Sequence, residues 1–229
     1  MAKNKLARFA ELSTFSNTYQ NYDVTDPKLV NFEGEEVNLK GKWNELHFKN
    51  DLPIVLELAC GGGEYTVAMA KNLPNRNYIG VDIKGARIWK GAKIAMEEGL
   101  SNAAFLRTRI EQLGLFFGEN EISEIWITFP DPFLRVGKAQ RRLTSARFSK
   151  IYKNVLKKDA IIHLKTDDPT LYAFTLETID EEKYQLIYEN NDIYGSELYT
   201  EELHYKTYYE KKHLENRKTI KYIRYTLGE

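Results

Sequence analysis

The first clear hydrophobic pattern along the chain begins after residue 50. Ile54-Val55-Leu56-Glu57-Leu58-Ala59 is a short run, apolar at all but one position, that stops at Gly61-Gly62-Gly63. Such a run bounded by glycine is the pattern of a strand buried on both faces of a parallel sheet. Residues 64–73 then have helical composition, 78–83 predict a second strand carrying Asp82 near its end, 86–98 a helix and 104–106 a third strand. A fourth strand is predicted over 124–129, a helix capped by Ser145 over 145–156, and a fifth strand over 160–164. Asp168-Pro169 starts a further helix, with proline where the first turn tolerates it.

Alternation of strand and helix predicts an α/β fold with a mostly parallel, Rossmann-like sheet and helices on both faces, because right-handed crossovers leave few other topologies. Residues 184–189 and 220–227 are both strand-like, with 203–214 helical between them, which predicts an antiparallel edge. Residues 1–50 are mixed and polar with little periodicity, and read as an N-terminal extension on or beside a main domain of residues 51–229. Lys3, Lys5 and Arg8 make the start of that extension basic. A length of 229 residues fits one such domain with an extension.

Composition narrows the class. A hydrophobic fraction of 42% and a charged fraction of 29% are ordinary for globular chains and exclude collagen, coiled coil and wholesale disorder. No apolar run approaches the roughly eighteen residues of a membrane span, and the N-terminus lacks a secretory pattern, so no membrane partner and a cytoplasmic location are expected. The one cysteine, Cys60, excludes an internal disulfide, and His47, His163, His204 and His213 lie far apart, so no metal is expected. The 33 basic and 33 acidic residues cancel, yet residues 135–158 hold nine Lys or Arg and no Asp or Glu. A zero total can thus conceal a basic face of the kind nucleic acid requires, although a basic run alone is more often a solvated helix face.

Doubly wound sheets bind ligands beyond the carboxyl ends of their strands, where strand order reverses. Asp82 lies nineteen residues after Gly63 and ends the second strand. A carboxylate there can accept from both ribose hydroxyls, a chemistry that nicotinamide and S-adenosylmethionine sites share. Phosphate separates the two cofactors. A dinucleotide needs a G-x-G-x-x-G turn to lay pyrophosphate on a helix N-terminus. Here the run is Ala59-Cys60-Gly61-Gly62-Gly63-Glu64, and Glu64 would repel pyrophosphate. S-adenosylmethionine carries no phosphate and is cationic at sulfur and at its amino group, which suits Glu57 and Glu64; a nicotinamide oxidoreductase is disfavoured. Cys60 has no histidine near it in sequence to generate a thiolate and reads as a small loop residue rather than a nucleophile.

After the fourth strand comes Phe129-Pro130-Asp131-Pro132-Phe133. Two prolines stiffen the loop and aim the carboxylate; an isolated P-D-P would be an ordinary Asx turn, but this one sits just past a strand end. Arg135, Lys138, Arg141, Arg142, Arg147 and Lys150 follow it, an order that favours phosphate contacts beside a reacting base. The D/N-P-P-Y/F motif of enzymes that methylate exocyclic amines is a competing match, lacking its second proline here. Guanine N7 already presents a lone pair, so an enzyme acting on it needs alignment rather than a base, and Asp131 can accept from the guanine N1–H and amine.

With these residues the chain resembles the bacterial tRNA guanine-N7 methyltransferases. Leu56-Glu57-Leu58 with its glycines is similar to the family's first motif and Gly80-Val81-Asp82 to its second. Residues 129–133, continuing into Arg141-Arg142-Leu143-Thr144-Ser145, resemble the F-P-D-P-W…K-R-R-L-T-S signature. His163-Leu164-Lys165-Thr166-Asp167 matches H-x-K-T-D, and Thr207-Tyr208-Tyr209-Glu210 matches T-x-Y-E. The resemblance implies a class I methyltransferase fold and transfer of a methyl group from S-adenosyl-L-methionine to N7 of a tRNA variable-loop guanine. It implies that Glu57, Gly61, Gly63, Asp82 and Asp131 bind the donor, that Asp131 is catalytic, and that Arg135, Asp167, Thr207, Tyr209 and Glu210 meet tRNA. Family members usually carry an acid after the third strand, where this chain has Arg109 with Glu111 two residues on; Ala59 replaces a glycine and Phe133 a tryptophan. Arg109 and Ala59 also motivate the contrasting reading, an RNA-binding protein with a vestigial donor site. The sequence does not choose between a monomer and a homo-oligomer.

Overall fold

The computed structural model describes residues 2–228; the side chain of Lys3, counted above among the basic groups of the extension, lies outside the described residues. Eight strands form one sheet: β1 (Thr18–Gln20), β2 (Ile54–Leu58), β3 (Asn77–Asp82), β4 (Ala103–Arg107), β5 (Ile122–Thr128), β6 (Leu156–Thr166), β7 (Gln185–Asn190) and β8 (Lys221–Thr226). Their spatial order is β1-β4-β3-β2-β5-β6-β8-β7. Every pairing from β1 to β6 is parallel, and β8 joins β6 and β7 antiparallel. The expected α/β sheet with an antiparallel edge is the fold observed.

Helices α1 (Ala2–Leu12), α2 (Glu64–Asn72), α3 (Gly85–Glu97), α4 (Leu113–Phe116), α5 (Ala146–Lys153), α6 (Pro169–Glu181) and α7 (Tyr208–Glu215) surround the sheet. Alternate residues of β2 feed two cores, Ile54, Leu56 and Leu58 on one face and Val55 on the other, which explains its unbroken apolar run. Glu57 shares the face of Val55, and Tyr65, Val67 and Met69 of α2 pack on that side. Strand order reverses at β2, between β3 and β5, so the ends of these three strands open one crevice.

Several boundaries differ from the pattern. The helix expected to run to residue 156 ends at Lys153, because Leu156 already pairs with Ile122 as the first residue of β6. Ser145 occupies the capping position, but its hydroxyl donates to Gln140 O at 3.2 Å and caps nothing. The expected 203–214 helix is two pieces, a turn over Glu201–His204 and then α7, which the Thr207 side chain starts by accepting from Glu210 N–H. Residues 1–50 hold elements the pattern did not signal. β1 adds a parallel strand beside β4, Glu11 of α1 accepts from Trp89 Nε1 of α3 at 2.8 Å, and Trp43 is fully buried.

Trp43 ties the extension to the sheet. Its ring stacks on Phe117 at 5.4 Å, meets Tyr19 edge-on at 5.1 Å, and its indole N–H donates to Phe116 O at 2.9 Å. Truncating a buried tryptophan removes that area and strands a carbonyl; Trp43→Ala is expected to lower unfolding free energy by about 3–5 kcal/mol in denaturant titrations. An unchanged midpoint would show that the extension is not part of the cooperative fold.

Candidate active site

Two cavities meet at Ala59 on the carboxyl rim of the sheet, one of about 430 Å³ and one of about 710 Å³. The smaller is lined by Glu57, Gly61, Thr128, Thr207 and Tyr209 among others, the larger by Asp82, Arg109, Glu111, Asp131 and Arg147. The structure therefore brings Glu57, Asp82 and Asp131 to one cleft.

Glu57 is 2% exposed and held from two elements. One carboxylate oxygen accepts from the Thr66 amide at 2.9 Å and the Thr66 hydroxyl at 2.5 Å, while the other accepts from the Thr128 hydroxyl at 2.7 Å. Burial pushes its carboxyl up to about 7, the Asp82 charge adding to the rise and the threonine hydrogen bonds opposing it. Asp82 anchors the glycine loop: it accepts from Gly61 N–H at 3.0 Å and from Lys84 N–H at 2.7 Å, leaving further lone pairs for hydroxyl donors. Gly63 has φ +68°, and a Cβ there would lie 2.5 Å from the Phe105 ring. Ala59 takes the left-handed conformation at φ 57°, where glycine carries no steric cost. Cys60 is buried, and burial with the Glu57 and Asp82 charges pushes its thiol well up, which removes it as a nucleophile.

Asp131 is exposed and does form an Asx turn, accepting from Phe133 N–H at 3.0 Å. Phe129 and Phe133 on either side have φ 48° and φ 42°, so this loop is sharply bent. Arg142 braces it, donating to Pro132 O at 2.9 Å and Phe133 O at 3.2 Å with its guanidinium 4.3 Å over the Phe174 ring. Only 5% exposed, Arg142 is not a free phosphate ligand; the expectation that all six cations after the loop face a nucleic acid is corrected here. Arg135, Lys138, Arg141, Arg147 and Lys150 remain exposed.

The other expected positions fall at different depths. Thr207 and Tyr209 line the smaller cavity. Glu210 lies beneath them, fully buried, paired with Lys165 at 2.8 Å and accepting from the Tyr194 hydroxyl at 2.7 Å. Burial pulls the Lys165 ammonium below its ordinary range, against the attraction of Glu210. Asp167 accepts from Lys218 at 2.6 Å and lies 3.4 Å from His213; it and Arg135 line neither cavity. The cap of α6 is Asp168, which accepts from Leu171 N–H at 2.7 Å, and not Asp167. Arg8, noted in the sequence as one of the basic residues of the extension, lines the smaller cavity from α1; sequence reasoning missed Arg87 and Lys90, which line it from α3, and the threonines that hold Glu57, because no local pattern marks residues joined only by packing. Among the described residues no His, Cys, Asp and Glu cluster could hold a metal, and no helix is long and apolar enough to cross a membrane.

This acid-lined cleft can be set against known proteins. The model of a family described as "Putative methyltransferase" matches residues 51–223. A tRNA (guanine-N(7)-)-methyltransferase of Christiangramia forsetii is 49% identical over 99% of both chains. The chain belongs to the tRNA guanine-N7 methyltransferase family. Another member, from Bacteroides fragilis, is 44% identical over 100% of this chain and 88% of its own. Among solved structures, the 16S rRNA methyltransferase KamB shares the class I fold at TM-score 0.62 and 15% identity, covering 85% of this chain and 97% of its own. Family membership selects among the alternatives left open by the Asp131 loop and excludes the nicotinamide oxidoreductase.

The Lys165–Glu210 pair offers a direct test of how this cleft is held. Removing one partner leaves an uncompensated buried charge, so Lys165→Met is expected to cost roughly 3–5 kcal/mol of stability in urea unfolding. A loss below about 1 kcal/mol would show that α7 is not held by this pair.

Proposed function

We propose that this chain transfers the methyl group of S-adenosyl-L-methionine to N7 of a guanine in tRNA, in the cytoplasm. The carrying observation is the joining of two cavities at Ala59, with carboxylates in both and exposed cations beside the larger. The donor fits these residues: it is cationic and lacks phosphate, and the glycine loop ends in a carboxylate where a pyrophosphate would have to sit. Bound there, it supplies an electrophilic methyl group. Asp82, with Arg109 and Glu111 in the larger cavity, takes the nucleoside end, and Glu57 with Gly61 takes the amino-acid end, while Gly63, which lines neither cavity, shapes the loop against the Phe105 ring.

Asp131 orients the guanine by accepting from its N1–H and amine, and its charge stabilises the positive charge that the base acquires as N7 becomes methylated. No proton leaves N7, so none of these residues need act as a base, and catalysis is alignment in a confined cleft. Arg135, Asp167, Thr207 and Tyr209 hold the strand around that base, and Glu210 sets their height from beneath. The exposed cations Arg135, Lys138, Arg141, Arg147 and Lys150 meet phosphates, which position the tRNA without specifying its sequence.

Unmodified bacterial tRNA incubated with labelled donor and digested to nucleosides should yield label in 7-methylguanosine; label confined to N6-methyladenosine would overturn the proposal. Asp131→Ala should lower kcat about 100-fold with the fold retained, and normal turnover would remove Asp131 from the chemistry.

Glu57 gives a pH signature. A cation bound beside it favours the ionised carboxylate, so donor binding releases a proton whenever Glu57 was protonated beforehand. With its carboxyl at about 7, that release is large near pH 6 and small near pH 8, and donor affinity rises with pH until it levels above neutrality. Calorimetry in buffers of different ionisation enthalpy measures the release; none at pH 6 would contradict this role.

A further inference from the structure

Glu64 is the first residue of α2, where a helix N-terminus favours a carboxylate and nothing more need be involved. Its side chain instead reaches across the cleft and is 29% exposed. One oxygen lies 2.6 Å from Lys90 Nζ on α3. The other accepts from the backbone N–H of Tyr208 at 2.6 Å, a residue 144 positions away. Tyr208 is the first residue of α7, and the cap formed by Thr207 satisfies Glu210 N–H, so Glu64 takes an α7 amide that this cap does not reach. Burial alone would raise the Glu64 carboxyl, yet Lys90 and the Tyr208 amide hold it below its ordinary value.

The segment bound in this way is one wall of the smaller cavity. Thr207, Tyr208 and Tyr209 line the same cavity as Glu57 and the glycine loop, with Tyr208 and Tyr209 62% and 57% exposed. Lys165 holds this segment from beneath through Glu210, at the third residue of α7. Glu64 holds it from the front, at the first.

We propose that Glu64 is a positioning residue for tRNA: it latches the start of α7 to the start of α2, fixing Thr207 and Tyr209 at the height where they meet the acceptor. The claim rests on the tRNA-methylating role argued above and adds a residue to it. An alternative use of the same carboxylate is direct attraction of the cationic donor. The two uses make opposite demands on chemistry, since a latch needs only an acceptor oxygen and an electrostatic donor contact needs the charge.

Glu64→Ala removes both, and Glu64→Gln keeps an acceptor of nearly the same shape while discarding the charge. If the carboxylate is a latch, Glu64→Ala raises KM for tRNA roughly tenfold or more, as expected for loss of a short charge-assisted hydrogen bond, with kcat and KM for the donor within about threefold. Glu64→Gln then restores most of the tRNA KM. A rise in donor KM of similar size in both variants, with tRNA KM unchanged, would overturn the proposal. Glu64→Gln alone makes the same distinction if the alanine variant does not fold.

Hydrogen exchange at the Tyr208 amide supplies a reading that needs no substrate. Glu64→Ala should speed that exchange about tenfold or more while Glu64→Gln leaves it protected; equal rates in all three proteins would refute the latch. Because this measurement is independent of turnover, failure of the wild-type chain to methylate tRNA would sink the functional assignment without being confused with failure of the latch.

Discussion

A carboxylate buried at the tip of a strand is the constraint on which the cleft is built. Glu57 gives up hydration that an exposed acid would keep, and its position at about 7 records that cost. What offsets the cost is a set of donors from both flanking elements, Thr66 at the start of α2 and Thr128 at the end of β5. One side chain thereby closes the loop of residues 57–66 into a ring. Asp82 pins the same loop in its middle through Gly61 N–H, and the Phe105 ring fills the space that a side chain at Gly63 would need. Two acids thus stiffen the loop and are stiffened by it, which is the preorganisation that alignment chemistry requires.

The opposite wall is held by a different kind of interaction. Lys165 and Glu210 are both fully buried, and a buried ion pair is a poor source of net stability because desolvation consumes most of its attraction. Its value here is positional. Lys165 ends in the core below α7 and also donates to Leu203 O and Tyr205 O at 3.2 and 3.1 Å, so one ammonium fixes the turn before the helix and the first turn of the helix itself. An apolar pair of equal volume would pack with less regard to register. The height of Thr207 and Tyr209 above the sheet follows from where that ammonium sits.

The sheet was legible in the sequence because buried parallel strands write themselves as apolar runs, and β2 through β6 carry that signature with Glu57, Asp82 and Asp131 at or beyond strand ends. Strand β1 was not legible: three residues, Thr18-Tyr19-Gln20, show no period, and they pair with β4 because the chain before residue 54 wraps both cores of the sheet. Trp43 looked like one aromatic among polar neighbours, and its burial depends on Phe116 and Phe117 more than seventy positions away. Arg142 was misread for a related reason. In sequence it belongs to a basic run, and only its reach back to Pro132 O and Phe133 O shows that it braces the acid loop. Spacing reveals what shares a strand or helix face and is blind to partners brought together by the fold.

The same distinction explains how a chain with 33 basic and 33 acidic residues presents itself to a polyanion. Charge cancels in the sum, and at the cleft some of the acids are withdrawn from the surface. Glu57, Asp82, Glu124 and Glu210 are buried, and the first two line the cleft floor while Glu124 and Glu210 lie within 3 Å of His163 or Lys165. The rim is mixed: Asp131 and Glu111 share the larger cavity with Arg141 and Arg147, and Glu64 shares the smaller with Arg8, Arg87 and Lys90. The carboxylates at the rim thus stand among cations, while Glu57 and Asp82 lie buried on the floor beneath them. Cations beside each rim acid offset its repulsion of a polyanion, and burial keeps the field of the floor acids from the solvent side, so zero net charge is no obstacle to the proposed nucleic-acid substrate.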